Sequence, residues 1–433
     1  MLLPTLVGSL FGLLLSGVWI GAALGLTGII IMMLWGGGVS LLGTTVWNAI
    51  NHYALAAIPG FLFMGQILLQ SGIGTRMYDS LFPLMARFPG KLLHSNIFLS
   101  AMFAAVLGIS TANAAIVGSV AIPELRKRKY DEGLLLGTVC MGGTLGILIP
   151  PSAALILYGV MAEVSIAGLF AAGMIPGLLM ALFFMSYIGI KGIITPGIAP
   201  TEEKALPFRA TLRSVVRIWP VLVISIATLV PIYVGLVTTT EAAGVGALAS
   251  MIMARLFAKL DWQRIKTSLI NAAELSAMIF FLVTGAMILS ISISSLGIPR
   301  ALVVAVGGLQ VSPMIIFVVI FVMYLVLGCF IDTISLMIMS IPFVCPILRD
   351  LGFDMIWFGI MLILVIEMGL VTPPVGLNLF VTQAIAGPGT TMMTVARGSV
   401  PFLLLTLVVV VLLAIFPEIV TFLPRILGFG GYV

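Results

Sequence analysis

Charge is what this chain has least of. Asp, Glu, Lys and Arg together make up 8% of its 433 residues, where a soluble domain carries about 25%. That shortage excludes a surface built to face water. Histidine is nearly absent: His52 and His94 are the two present, and they do not share a ligand-like spacing. Three cysteines, Cys140, Cys329 and Cys345, sit inside apolar runs without metal-ligand spacing, and read as small core residues. No HExxH, P-loop or GxSxG motif occurs in a usable context. Without a Walker A sequence the chain cannot itself hydrolyse ATP. Intramembrane proteolysis would need paired aspartates or a Ser–His pair in facing spans, and Asp332 stands alone. No enzyme reading survives these absences.

What is present is apolar surface. Hydrophobic residues make up 61% of the chain, in repeated runs of about 18 or more residues. The chain therefore reads as an all-α polytopic membrane protein with roughly ten to fourteen membrane segments. Its net charge of +5 fits cytoplasmic loops facing anionic lipid and gives no argument for nucleic acid. The first segment, Leu2–Trp35, is too long for a signal peptide and is expected to remain as a membrane segment kinked at Ser16–Gly17.

Two stretches break the pattern of simple spans. Residues 96–125 form two apolar arms, Asn96–Leu107 and Ala114–Leu125, around a polar tip of small residues at Gly108–Asn113. Each arm reaches roughly 18 Å at about 1.5 Å per residue, short of the ~30 Å hydrocarbon core. With basic residues on both flanks, this reads as a re-entrant hairpin. The next helix, about 131–161, is interrupted at Gly146 and at Pro150–Pro151. A second hairpin at about 313–348, with its tip at Asp332–Ser335, precedes a second broken helix at about 355–386, interrupted over Gly369–Gly376. The expected organisation is an N-terminal segment and interfacial helix (1–57), a first repeat (58–190), a cytoplasmic linker (191–217), further spans (218–270) and a second repeat (271–423). Within it, a basic loop is expected over Lys259–Lys266, a span over Asn271–Leu296 and a last segment over Gly398–Leu423.

Charge placement and internal register support that order. With both hairpins re-entrant, loops at 73–95, 126–130, 191–217, 255–267 and 388–397 fall on the cytoplasmic side, and only Arg300, Arg349 and Arg425 of the 20 Lys and Arg residues lie outside. Shifting the sequence by 223 residues brings Pro123, Arg126, Asp131, Gly146, Pro150 and Pro151 onto Pro346, Arg349, Asp354, Gly369, Pro373 and Pro374 without a gap. Five crossings separate Asp131 from Asp354 in this threading, an odd number, so the repeats are expected to be inverted.

The candidate site gathers at these interruptions. The first tip offers Ser110, Thr111 and Asn113, and the second Asp332, Thr333 and Ser335. Gly146, Pro150 and Pro151 mark the first break, and Thr372, Pro373 and Pro374 the second, with Asn378 just beyond it. Hydroxyls, amide oxygens and freed carbonyls are hard ligands suited to Na⁺, while half-helix N-termini favour an anion. The Na⁺ candidates are Ser110, Asn113, Asp332 and Thr372, with no other cofactor expected. An isolated hydroxyl in a membrane helix ordinarily bonds back to its own helix; clustering at two related tips beside Pro-Pro breaks favours binding. Asp332 and Glu367 lie in the apolar interior, where charge is costly and usually functional. Glu241 and Glu274 fall near span ends, where water or a neighbouring basic loop can satisfy them. Arg126–Lys129 reads as a topology anchor.

The stretches GISTANAAIVGSVAIPEL, GGTLGILIPPSAALILYG, SIAGLFAAGMIPG, FIDTISLMIMSIPFVCPIL, LGFDMIWFGIM and EMGLVTPPVGLNLFV spread over most of the chain. In them the chain resembles the large membrane subunit of the tripartite ATP-independent periplasmic (TRAP) transporters, the DctM-like family. That resemblance implies a Na⁺-coupled importer of the bacterial inner membrane, in which hairpins and broken helices move as an elevator against a scaffold. It also implies two partners: a small four-helix membrane subunit and a periplasmic substrate-binding protein. The solutes implied are C4-dicarboxylates, sialic acids or similar carboxylates. One departure is the first tip, Ser-Thr-Ala-Asn, where a run richer in Ser and Gly is expected. A stand-alone Na⁺/carboxylate symporter or ion antiporter of the wider superfamily shares inverted hairpins and is the alternative. A passive channel or membrane scaffold would not require two inverted broken-helix sites.

Overall fold

In apolar surroundings a backbone satisfies its N–H and C=O groups within helices or closed barrels, and this chain takes the helical route. The computed structural model describes residues 2–35, 39–200, 218–308 and 311–429, and every regular element among them is helical. Residues 201–217 of the expected linker, with Lys204, Arg209, Arg213 and Arg217, lie outside the described residues. Among those described, six helices are long and apolar enough to cross a membrane, or seven if one pair bent by 42° counts as a single span.

The first segment divides into α1 (Leu2–Leu15) and α2 (Ile20–Trp35), so the expected kink is a full interruption in which Gly17 has φ +82°. After the short α3 (Leu42–Ile50) come α4 (Ala57–Ser71) and α5 (Ile73–Met85). Helix α5 corrects the expectation of a loop over 73–95. Its Ile73, Met77, Leu81 and Met85 recur every four residues and are all buried, which anchors a helix despite the exposed Arg76. Then follow α6 (Leu93–Leu107), α7 (Ser110–Lys127), α8 (Glu132–Leu148), α9 (Ala153–Met161) and α10 (Ile166–Ile194).

The second half begins with α11 (Trp219–Tyr233), α12 (Thr239–Phe257) and α13 (Trp262–Ser295). The last of these starts well before the expected Asn271. Asp261 accepts the Arg264 N–H at 2.8 Å and caps the helix, so the basic stretch Lys259–Lys266 is partly helical. Next come α14 (Ile298–Gly307), α15 (Pro313–Gly328), α16 (Thr333–Asp350), α17 (Met355–Leu370) and α18 (Leu377–Ala386). The expected final segment is two helices, α19 (Met392–Ile415) and α20 (Glu418–Ile426), separated at Pro417.

Two packing neighbourhoods emerge. Helices α2 and α4 lie along α13, and α12 joins α4 to α11. In the other neighbourhood α8 is central, covered by α6, α7, α10, α18 and α19, while α17 lies against α15 and α16. Lipid tails are as apolar as leucine, so helices gain from close approach rather than from escaping water, and small residues mark the seams. A methyl on Gly285 would lie 2.0 Å from Gly21 O, which sets α13 directly on α2. Likewise a methyl on Gly137 would lie 2.1 Å from Gly398 O, and one on Gly398 would lie 2.0 Å from Gly133 O. At the α8–α19 seam there is no flexible side chain to move aside.

Gly398→Ala is therefore expected to destabilise the detergent-solubilised protein by about 1–3 kcal/mol, the usual cost of overpacking. Gly12→Ala, which meets open space in α1, is the control and should be neutral to stabilising by about 1 kcal/mol or less. Thermal unfolding followed by tryptophan fluorescence measures both. Equal midpoints for Gly398→Ala and the parent protein would mean that α8 and α19 separate at no cost.

Candidate functional site

Each helix break in the α8-centred neighbourhood is covered by another. Gly108 ends α6 in the left-handed conformation, φ +65°, and a methyl there would lie 3.1 Å from both Pro151 O and Ala153 N. The α6–α7 tip therefore rests on the α8–α9 break. Gly146 brings α8 equally close to that tip, since its methyl would meet Asn113 Cβ at 2.9 Å and Ile109 O at 3.0 Å. In the second half, a methyl on Gly369 would lie 2.7 Å from Gly328 Cα, and Gly376 N–H donates to Cys329 O at 2.9 Å. Both Pro-Pro peptides, Pro150–Pro151 and Pro373–Pro374, are cis. Pro150 and Pro151 are buried, whereas Pro373 and Pro374 are exposed.

A buried carboxylate lies where these elements converge. Glu367 on α17 is 2% exposed, and its Oε1 accepts the Thr333 hydroxyl, at the start of α16, at 2.9 Å. The Ser110 hydroxyl, at the start of α7, stands beside the same carboxylate. Asn378 on α18 donates to Ser110 Oγ at 2.6 Å. Glu367 Oε2 and Asn378 Oδ1 are buried and accept no hydrogen bond. Among the described residues no basic side chain pairs with Glu367. Thr382, one turn beyond Asn378, is buried beside the Cys140 thiol. The set is rich in oxygen acceptors and poor in positive charge.

A second polar group lies one turn along α7. Asn113 is fully buried and donates to Ser100 O at 3.0 Å, while Asn96 donates to Thr138 Oγ1 at 2.9 Å. Asn113 Oδ1, Asn96 Oδ1 and Ser100 Oγ are left without partners.

The remaining candidates take other places. Thr111 is half-buried on α7, and Ser335 is buried, with its N–H given to Asp332. Asp332 caps α16: its Oδ1 accepts the N–H groups of Ile334 and Ser335, both at 3.1 Å. Thr372 donates back to Met368 O at 2.7 Å. The structure thus joins Ser110, Thr333 and Asn378, sets Asn113 behind them, and among the described contacts joins neither Asp332 nor Thr372 to them. In the sequence Glu367 reads as a costly interior acid with nothing local to place it at the tips. The 223-residue register holds the missing signal, because it superposes Ser110 on Thr333, the two hydroxyls that flank Glu367. Thr382, Asn96, Ser100 and Thr138 were not singled out; the four-residue spacings of Asn378 to Thr382 and Asn96 to Ser100 were the available clue.

The far ends of the same helices are tied crosswise. Arg126, at the end of α7, donates to Ala386 O at the end of α18 and to Thr390 Oγ1 at 2.8 Å, and is ion-paired with Glu132. Its register partner Arg349, at the end of α16, donates to Ala162 O at the end of α9 at 2.7 Å. Each arginine thus caps the carbonyl end of a short helix from the other half of the chain. Arg126 is more than a topology anchor.

The comparisons with known proteins bear on this geometry. The family model described as tripartite ATP-independent periplasmic transporter, DctM component, matches residues 7–419. The C4-dicarboxylate TRAP transporter large permease protein DctM of Pseudomonas aeruginosa is 33% identical over 411 residues, covering 94% of each chain. The sialic acid TRAP transporter large permease protein SiaM of Vibrio cholerae is 30% identical over 435 residues, covering 98% of this chain and 100% of its own. Among solved structures, the YdaH transporter of Alcanivorax borkumensis shares the fold with a TM-score of 0.66 at 14% identity, over 92% of this chain and 97% of that one. The chain belongs to the DctM component family of the tripartite ATP-independent periplasmic transporters, a family of membrane transport proteins rather than enzymes.

Proposed function

We propose that this chain is the permease subunit of a Na⁺-coupled importer of organic acids in a bacterial inner membrane. The carboxylate would be delivered by a periplasmic binding protein, with a small four-helix membrane subunit as the second partner. C4-dicarboxylates and sialic acid are the solutes in the names of its relatives, and this chain's solute is assigned to the same class. One observation carries the reading: the buried Glu367 carboxylate with one oxygen unpartnered, among neutral oxygens and without a basic neighbour. An ionised group so placed costs several kcal/mol unless a cation joins it. Oxygen donors at helix breaks suit Na⁺.

In this reading Na⁺ is held by Glu367 with Ser110, Thr333 and Asn378, and the neighbouring Asn113 supports it. The carboxylate solute binds beside the exposed second break, Thr372–Pro374, next to the N-terminus of α18. The repeats are inverted, and the crossed contacts of Arg126 and Arg349 support a pseudo-two-fold relation between them. The hairpins and broken helices move as one body against a scaffold of α2, α4, α11, α12 and α13.

Two experiments test this. Single cysteines replacing Arg128 and Arg349 should label from opposite faces of the membrane; the native cysteines are buried and give little background. Labelling from the same face would remove the inverted topology. Uptake into proteoliposomes, with binding protein and small subunit present, addresses the ion. Glu367→Gln is expected to raise the Na⁺ concentration for half-maximal uptake by about tenfold or more, equivalent to about 1.4 kcal/mol or more. Asp332→Asn should cost about 1 kcal/mol of stability or less through its weakened cap and leave the Na⁺ dependence near that of the parent. The reverse pattern would move the cation site to the second tip.

A further inference from the structure

A cavity of about 450 Å³ opens between the start of α8, the end of α10 and the start of α19, apart from the buried tips. Lys191 and Arg397 line it together with Tyr187, Thr195, Thr394 and Asp131. Among the described residues neither Lys191 nor Arg397 meets a carboxylate or donates a hydrogen bond. The acid in the wall is partly committed, since Asp131 Oδ1 accepts the Leu134 N–H at 2.8 Å. Two cations, a phenol and two hydroxyls thus line a space with a single carboxylate, Asp131, one of whose oxygens caps α8. Beyond Arg397 the wall turns apolar and faces outward along α19, where Val400 and Leu404 are 47% and 57% exposed. Arg397, Val400 and Leu404 stand at i, i+3 and i+7 and share one face.

We propose that this cavity holds the phosphodiester headgroup of an anionic phospholipid, with its acyl chains along the exposed face of α19. The phosphate oxygens match the Lys191 ammonium and the fork of Arg397. Basic pockets between membrane helices recognise lipid headgroups in this way. The apolar face that continues from Arg397 along α19 argues for a lipid rather than a free anion, because inorganic phosphate would leave it unused. This site needs only the chain's membrane placement and does not rest on the transport reading.

Native mass spectrometry of the purified protein with dioleoylphosphatidylglycerol, and separately with dioleoylphosphatidylcholine, tests the assignment. The phosphatidylglycerol adduct is expected to dominate and to fall at least threefold in the Lys191→Gln/Arg397→Gln variant. Arg397→Lys, which keeps the charge, should retain most of it. Arg397 is exposed and neither cation holds the fold through a described contact, so the variants should remain folded; a thermal midpoint equal to the parent's without added lipid checks this. Equal retention of the two lipids, or an adduct unchanged in the double variant, would overturn the proposal. Complete displacement by millimolar inorganic phosphate would assign the cavity to a soluble anion and overturn it as well.

Discussion

Breaking a helix inside a membrane releases backbone groups that lipid cannot satisfy, at several kcal/mol each. This chain breaks four helical paths within one bundle, and the rest of the bundle follows from covering them. The remedy is reciprocal contact. Gly108 settles on the Pro151–Ala153 backbone, Gly376 gives its N–H to Cys329 O, and Asp332 accepts two N–H groups at the start of α16. At Gly108 only glycine serves, because the backbone is left-handed and the facing break lies within van der Waals range. A tip that left its break would open the close packing at Gly108 and break the Gly376–Cys329 hydrogen bond, so each hairpin is tied to its break. That coupling is the physical basis for proposing that they move together.

The proposed repeats match in their helix breaks but not in their chemistry. The 223-residue register sets Glu367 on Thr144, Asn378 on Leu155 and Thr382 on Gly159. The break that lacks these polar groups is buried, and the break that carries them exposes Pro373 and Pro374. Helix α7 packs on α18 and α16 packs on α9, and the acceptor oxygens gather on the Glu367 side of the junction.

How much of this was legible in the sequence depends on the range of the signal. Helix limits around the breaks were readable because Gly, Pro and Asp act on their own few residues: α6 ends at Gly108, α8 stops before Pro150, and Asp131 and Asp354 cap α8 and α17. The extra helices were missed where charge masked a buried stripe, as in α5, or a cap, as at Asp261. Thr238-x-x-Glu241 is a complete capping box, a local signal that explains an acid near a span end without water or a partner loop. Asp332 carries the same lesson: an aspartate just before a helix is a cap candidate before it is an ion ligand. Glu367, in the last turn of α17, has no free N–H group to cap there, and that distinction follows from position alone. The contacts of Ser110 with Asn378 and of Arg126 with Ala386 join residues more than 250 apart, and no local pattern encodes them.

The placement of Glu367 bears on how an ion could be coupled to movement. Its surroundings come from three separate elements: Ser110 from the first tip, Thr333 from the second, and Asn378 from beyond the second break. An ionised Glu367 flanked only by the Thr333 and Ser110 hydroxyls would be relieved most readily by water. Admitting water means loosening the contact between the tips. A cation bound by the same oxygens removes that need and draws all three elements onto one centre. Its binding free energy is therefore expressed as closure of both tips rather than as a local contact. A monovalent ion held by one carboxylate also leaves the centre neutral, the condition under which the whole body can cross an apolar layer at lowest cost. Under the proposed Na⁺-coupled function, neutralisation of Glu367 and closure of the tips would be one event, which is what coupling requires of a transporter's ion.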